Sequence, residues 1–148
     1  MILLRTMSSS VAVAGLVVLL AGTSACNDSP TTPENNAPFS QTDVRLGTGA
    51  DAVAGKVLTV QYTGWYYDAA KPDLKGVQFD SSVGGDPFIF TLGAGQVIRG
   101  WDQGLVNMKV GGLRRLIIPP SLAYGSRRFG PIPPDATLVF DLELLQVE

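Results

Sequence analysis

The chain has no histidine, a single cysteine, and charge on only 16% of its 148 residues. Without histidine, Ser-His-Asp and Cys-His nucleophilic chemistry are excluded, and the commonest metal ligand is missing. One cysteine, Cys26, permits no intrachain disulfide. Basic residues never cluster beyond the pairs Arg114-Arg115 and Arg127-Arg128. After Cys26 ten basic residues face thirteen acidic ones, so nucleic-acid binding has no electrostatic support. The one long apolar run, Val11 to Ala21, is shorter than the ~20 residues that a membrane span needs.

That run follows Arg5 and precedes the small residues Thr23-Ser24-Ala25, the layout of an export signal over residues 1–25. A cysteine directly after such a segment resembles the lipid-modified cysteine of bacterial lipoproteins. The resemblance implies lipidation at Cys26, a membrane anchor, and a place in a bacterial periplasm or outer cell envelope. Thr23 stands where lipoproteins prefer leucine, and plain cleavage after Ala25 is the alternative. Residues 26–40 hold prolines and small polar residues without periodicity, and read as a disordered tether. Such a tether reaches roughly 20 Å. Residues 41–148 then form one domain, able to bury roughly 60–68% of its unfolded surface.

Within that domain Leu58, Val60 and Tyr62 alternate with polar neighbours, and Phe88, Phe90 and Leu92 do the same, as half-buried strands require. Leu113 to Ile118 is a third strand, ended by Pro119-Pro120, and Leu138 to Leu144 is a long final one. Gly93 and Gly95 precede a helix expected over Gln96 to Met108, which Gly111-Gly112 stops. Ile98, Trp101, Leu105 and Met108 share one face of that helix, either an ordinary core face or the floor of an apolar pocket. Gly100 and Gly104 inside it imply close packing against a sheet or a ligand, or a helix held by tertiary contacts. Strands in series with a single helix give an α+β class: a curved antiparallel sheet wrapped around one short helix.

Six motifs in order set the functional expectation: Tyr62-Thr63-Gly64, Phe79-Asp80-Ser81-Ser82, Phe88-Ile89-Phe90, Val97-Ile98-Arg99-Gly100-Trp101, Ala123-Tyr124-Gly125 and Ala136-Thr137-Leu138-Val139-Phe140. Each alone has a plainer explanation, as a core strand or a turn capped by Asp and Ser. Together they resemble the FKBP-type peptidyl-prolyl cis-trans isomerases from about Gln41 to Glu148. The resemblance implies that family's fold, no cofactor and no metal, proline-containing polypeptides as clients, and macrolides as ligands. It assigns Tyr62, Phe79, Phe88, Val97, Ile98, Trp101, Tyr124 and Phe140 to the pocket, with Trp101 as its floor, and places Phe90 and Ile132 next to it. Asp80, Tyr124 and the backbone amide of Ile98 become the polar groups at the reacting bond.

Two segments depart from the small family members. The stretch Trp65 to Gln78 is longer, and is expected as a bulge or extended loop beside the pocket, a neutral insertion in preference to an added substrate surface. The loop Ser126 to Pro134 is shorter, with Arg128 or Phe129 where many members carry histidine. In the family this loop touches substrate. An isomerase for exported proteins, acting as a monomer, is the leading reading. A proline-binding module without turnover and an envelope interaction protein are its rivals.

Overall fold

The structure is a computed structural model, and it describes residues 36–148. The expected export signal over 1–25, Cys26 and most of the expected tether lie outside the described residues. Six strands and one helix follow in order: β1 (Ser40–Arg45), β2 (Val57–Tyr67), β3 (Lys75–Ser81), β4 (Phe88–Thr91), α1 (Arg99–Gly104), β5 (Leu113–Ile118) and β6 (Leu138–Val147). Phe39 packs against the core and Ser40 opens β1. The sheet runs β1-β5-β6-β2-β3, antiparallel throughout, and β4 also pairs with β2. This is the α+β class expected, a curved antiparallel sheet around one short helix. Among the described residues no helix is long and apolar enough to cross a membrane.

Alternation puts Leu58 and Val60 of β2, Leu116 and Ile118 of β5, and Leu138, Phe140, Leu142 and Leu144 of β6 into one buried cluster with Trp101, Leu105 and Met108. The helix is shorter than the sequence suggests. Ile98 is extended at ψ 146° and Asn107 adopts a left-handed φ of 61°, so neither end of the expected Gln96–Met108 segment is helical. Leu105 and Met108 still turn inward, because the chain continues as a turn that keeps them on the apolar side. The two helix glycines answer to the sheet. A Cβ on Gly100 would stand 2.5 Å from Ile118 Cγ2, and one on Gly104 2.6 Å from Leu116 Cδ2. Side chains at either position would lift α1 off β5.

A six-residue helix leaves most of its terminal carbonyls unpaired. Arg114, reaching from β5, donates from Nη1 to the carbonyls of Gly104 and Val106 at 2.9 and 3.1 Å. The same guanidinium pairs with Asp43 of β1 through Nε at 2.6 Å and Nη2 at 3.2 Å. At the other end, Asp102 accepts the amides of Gly93 and Gly95 at 2.8 and 3.1 Å, fixing the loop that leads from β4 into α1.

The segment Trp65 to Gln78 is strand at both ends with a turn between them. β2 continues to Tyr67 and β3 starts at Lys75, with register shifts between Gly64 and Trp65 and again before Tyr67. The bulge expectation matches these shifts, but the turn itself is not at the pocket. Pro72, Asp73 and Leu74 share a shallow recess of about 210 Å³ with Ser40, Thr42 and Val44 of β1. Phe79-Asp80-Ser81 is likewise strand where its sequence alone suggests a turn. Cross-strand partners win over local capping preference here.

Candidate functional site

β2 is eleven residues long and has two partners on one edge. Val57 to Val60 pair with β4, and Thr63 to Tyr67 with β3. The sheet opens between them at Gln61 and Tyr62, and the Tyr62 side chain there lines a cavity of about 820 Å³. This lies within the size range of small-ligand sites. Ser82 closes the seam, with its amide donating to the Tyr62 carbonyl at 3.0 Å and its Oγ accepting the Tyr62 amide at 2.9 Å.

Trp101 forms the base of the cavity. It is 5% exposed, with ring centroids of Tyr62 at 5.1 Å, Phe140 at 5.3 Å, Phe90 at 5.9 Å and Phe88 at 6.0 Å. Most of these contacts are edge-to-face, the favoured arrangement for ring quadrupoles. The walls are Tyr62, Phe79, Phe88, Val97, Ile98, Tyr124, Ile132 and Phe140, with Asp80 at the rim. Phe79 and Phe140 meet over Gly64, where a Cβ would come within 2.7 Å of both rings. Glycine there is a packing requirement that lets the aromatic wall close across the strand.

The structure therefore gathers at one cavity every pocket residue singled out in the sequence except Phe90. Phe90 is 3% exposed and is not among the lining residues; it packs on Trp101 and Phe88 from the core side. Gln96, Arg99 and Ala123 also line the cavity, though sequence reasoning gave them no role there, and Phe129 and Pro131 join it from the loop expected to touch substrate. For Phe129 a signal existed, an aromatic residue in a loop of Gly and Pro with no strand alternation to bury it. The chain folds there into a tight hairpin, Phe129 and Ile132 exchanging backbone hydrogen bonds at 3.0 and 2.9 Å around Gly130 at φ 54°. Phe129 stacks flat on Tyr124, centroids 4.3 Å apart and planes 9° from parallel.

Polar groups are few and placed at the edge. Tyr62 Oη donates to Asp80 Oδ2 at 2.7 Å, while the Ser81 amide donates to Asp80 Oδ1 at 2.8 Å. Burial, the hydrogen bond to Asp80 and that carboxylate's charge, with a smaller effect of nearby Tyr124, push the Tyr62 phenol up to about 12. Burial and the Asp80 charge raise Tyr124 as well. Both phenols are protonated donors at any physiological pH. Among the described residues, the Tyr124 hydroxyl and the Ile98 amide have no protein partner, whereas the Ile98 carbonyl caps α1 by accepting from Trp101 and Asp102. The cavity thus offers an apolar floor and free donors at its rim, and no group of His, Cys, Asp or Glu among the described residues is arranged to hold a metal ion.

Known proteins share this arrangement. A family described as FKBP-type peptidyl-prolyl cis-trans isomerase matches residues 49–145. The FK506-binding protein of Neisseria meningitidis serogroup A is 50% identical over 107 residues, which are 71% of this chain and 92% of that protein. FK506-binding protein 1 of Gibberella zeae is 44% identical over 108 residues, 72% of this chain and 96% of that protein. Among solved structures, AtFKBP13 superposes with a TM-score of 0.64 at 37% identity, over 74% of this chain and 93% of its own. FkpA from Escherichia coli gives 0.63, also at 37% identity, over 79% of this chain and 53% of its own. Sequence motifs, sheet order and cavity converge on one assignment: the chain belongs to the FKBP-type peptidyl-prolyl cis-trans isomerases, enzymes that rotate the peptide bond preceding proline.

Proposed function

We propose that the cavity above Trp101 is where the X-Pro bond is bound and turned, and that the clients are exported proteins. The observation that carries this reading is the cavity itself, an aromatic enclosure whose polar groups stand at the rim. Rotation about a peptide bond must overcome ~18–20 kcal/mol, because the planar amide's resonance is lost in the twisted form. Water stabilises the polar planar amide more than the twisted one. An apolar enclosure removes that preference and lowers the barrier without a nucleophile, a metal or a cofactor. The proline ring rests on Trp101, between Tyr62, Phe88, Val97 and Phe140. The Ile98 amide and the Tyr124 hydroxyl hold the flanking carbonyls, and Asp80, oriented by Tyr62, faces the twisting carbonyl and its hydrogen-bond network. Phe79 and Ile132 complete the walls, with Phe90 behind the floor.

The test is an isomerisation assay of the full chain with short X-Pro peptides and with a protein whose refolding waits on proline. Acceleration that a macrolide ligand abolishes supports the reading. Macrolide binding without acceleration of either substrate would leave a binding module in its place.

For location, we propose that residues 1–25 direct export and that Cys26 carries a lipid, with residues 26–40 as the tether. The support is the order of Arg5, the apolar run, the small residues and the cysteine. Cys26→Ala is expected to release the protein from the membrane fraction; retention there would discard the anchor.

A further inference from the structure

The hairpin Phe129–Ile132 projects at the cavity mouth, and Ser126 to Pro131 are all exposed. Exposed, short and rich in glycine and proline, it needs outside contacts to hold one position. At its base the Asp135 amide donates to the Gly125 carbonyl at 2.9 Å. Ile132 is buried beneath it, and Phe129 leans on Tyr124. Among the described residues one hydrogen bond joins its tip to the sheet: Tyr66 Oη donates to the Pro131 carbonyl at 2.7 Å. The Tyr66 ring is itself seated against Phe79, centroids 5.1 Å apart, and Phe79 is a cavity wall. Next along the strand, the Tyr67 amide donates to the Thr137 carbonyl at 3.0 Å, pinning the loop's exit. Tyr66 lies in the Trp65-Tyr66-Tyr67 stretch that the pocket assignment leaves unused.

We propose that Tyr66 is a positioning residue for substrate recognition: its hydroxyl fixes the hairpin so that Phe129 and Pro131 present a set surface to the residues flanking the substrate proline. The proposal rests on reading the cavity as the X-Pro site. Tyr66 does not touch the reacting bond. Its effect is on affinity, through the hairpin, and the floor and the Tyr62–Asp80 pair are untouched by it.

The test compares full-chain Tyr66→Phe, which keeps the ring on Phe79, with wild type and with Tyr67→Phe. Tyr67→Phe removes a phenol hydroxyl that makes no hydrogen bond among the described residues. In Tyr66→Phe the amide protons of Phe129 and Ile132 are expected to exchange about fivefold faster, as for one lost hydrogen bond. KM for short X-Pro peptides rises by about the same factor, with kcat within about twofold and the melting temperature unchanged. Tyr67→Phe behaves as wild type. Unchanged exchange would overturn the anchoring role, and faster exchange with unchanged KM would overturn the link to recognition. KM and kcat worsening together with a lower melting temperature would make Tyr66 a structural residue only. Wild-type protein that neither binds nor turns over X-Pro peptides would instead sink the cavity reading on which the proposal stands, a result read before any variant is made.

Discussion

At the Asp80 carboxylate two donors converge, the Tyr62 hydroxyl and the Ser81 amide, leaving its remaining lone pairs toward the cavity rim. Asp80→Leu removes that acceptor on an exposed strand residue, so the fold is expected to survive while isomerisation drops by tenfold or more on the order of one charged hydrogen bond. Unchanged turnover would take Asp80 out of the mechanism. Tyr62 gives an independent optical check. Its phenol, pushed up to about 12, is raised above its unfolded value near 10. Its contribution to stability is therefore complete below about pH 10 and is lost as pH climbs toward 12. An alkaline absorbance titration should show Tyr62 and Tyr124 ionising late, and Tyr62→Phe should remove the step near 12. Residue identity was the most legible level in the sequence, because aromatic rings and an aspartate at fixed order state their chemistry directly. Phe90 marks where the strand pattern stops short. Alternation puts Phe88 and Phe90 on one face of β4, yet the cavity ends at Phe88 and only depth within that face separates them.

Elements obeyed their local signals where burial was strong and departed from them where tertiary contacts were stronger. β2, β4 and β6 were readable from period-two alternation, and β5 from a run that Pro119-Pro120 closes. β1 was not: all six of its residues are exposed, and it exists because β5 offers it an edge. The helix was overestimated for the reverse reason, since Leu105 and Met108 keep a helical apolar spacing after the backbone has left the helix. Such a short helix depends on neighbours more than on propensity. Arg114→Met, which removes the cap on two carbonyls and the partner of Asp43, is expected to cost about 2–4 kcal/mol in chemical denaturation. Gly64→Ala acts on the site through packing. Its methyl meets Phe79 and Phe140 together, so a loss of about 1–3 kcal/mol should accompany a fall in kcat/KM. A variant with full activity would show that the aromatic wall tolerates being parted.

Across the whole sheet, the face opposite the cavity has its own tie. Asp141 of β6 accepts from Arg115 of β5 at 2.8 and 3.0 Å and from Lys75 of β3 at 2.7 Å, and Lys75 Nζ sits 3.9 Å above the Trp65 ring. Burial by itself would raise the Asp141 carboxyl, but the hydrogen bonds and charges of Arg115 and Lys75 outweigh it and hold it below its usual range. Its folded value is depressed, so this stabilisation is present above the ordinary carboxylate range and disappears as pH falls through and below it. Asp141→Asn should lower stability at neutral pH and flatten the acid limb of the stability curve; a parallel downward shift at every pH would remove Asp141 as the titrating group. None of this was legible in sequence, because the three residues lie on separate strands and only the sheet order makes them neighbours.

That order has a consequence in time. Among the described residues β6 is the most C-terminal strand, yet it sits between β5 and β2 and is the one strand that joins the two halves of the sheet. Until residues 138–147 are available, β1 and β5 on one side and β2, β3 and β4 on the other have no shared strand, and Phe140 is missing from the cavity wall. The complete sheet, and with it the cavity wall, therefore waits on the most C-terminal strand of the domain. The sheet stays in two parts until that strand arrives to join them.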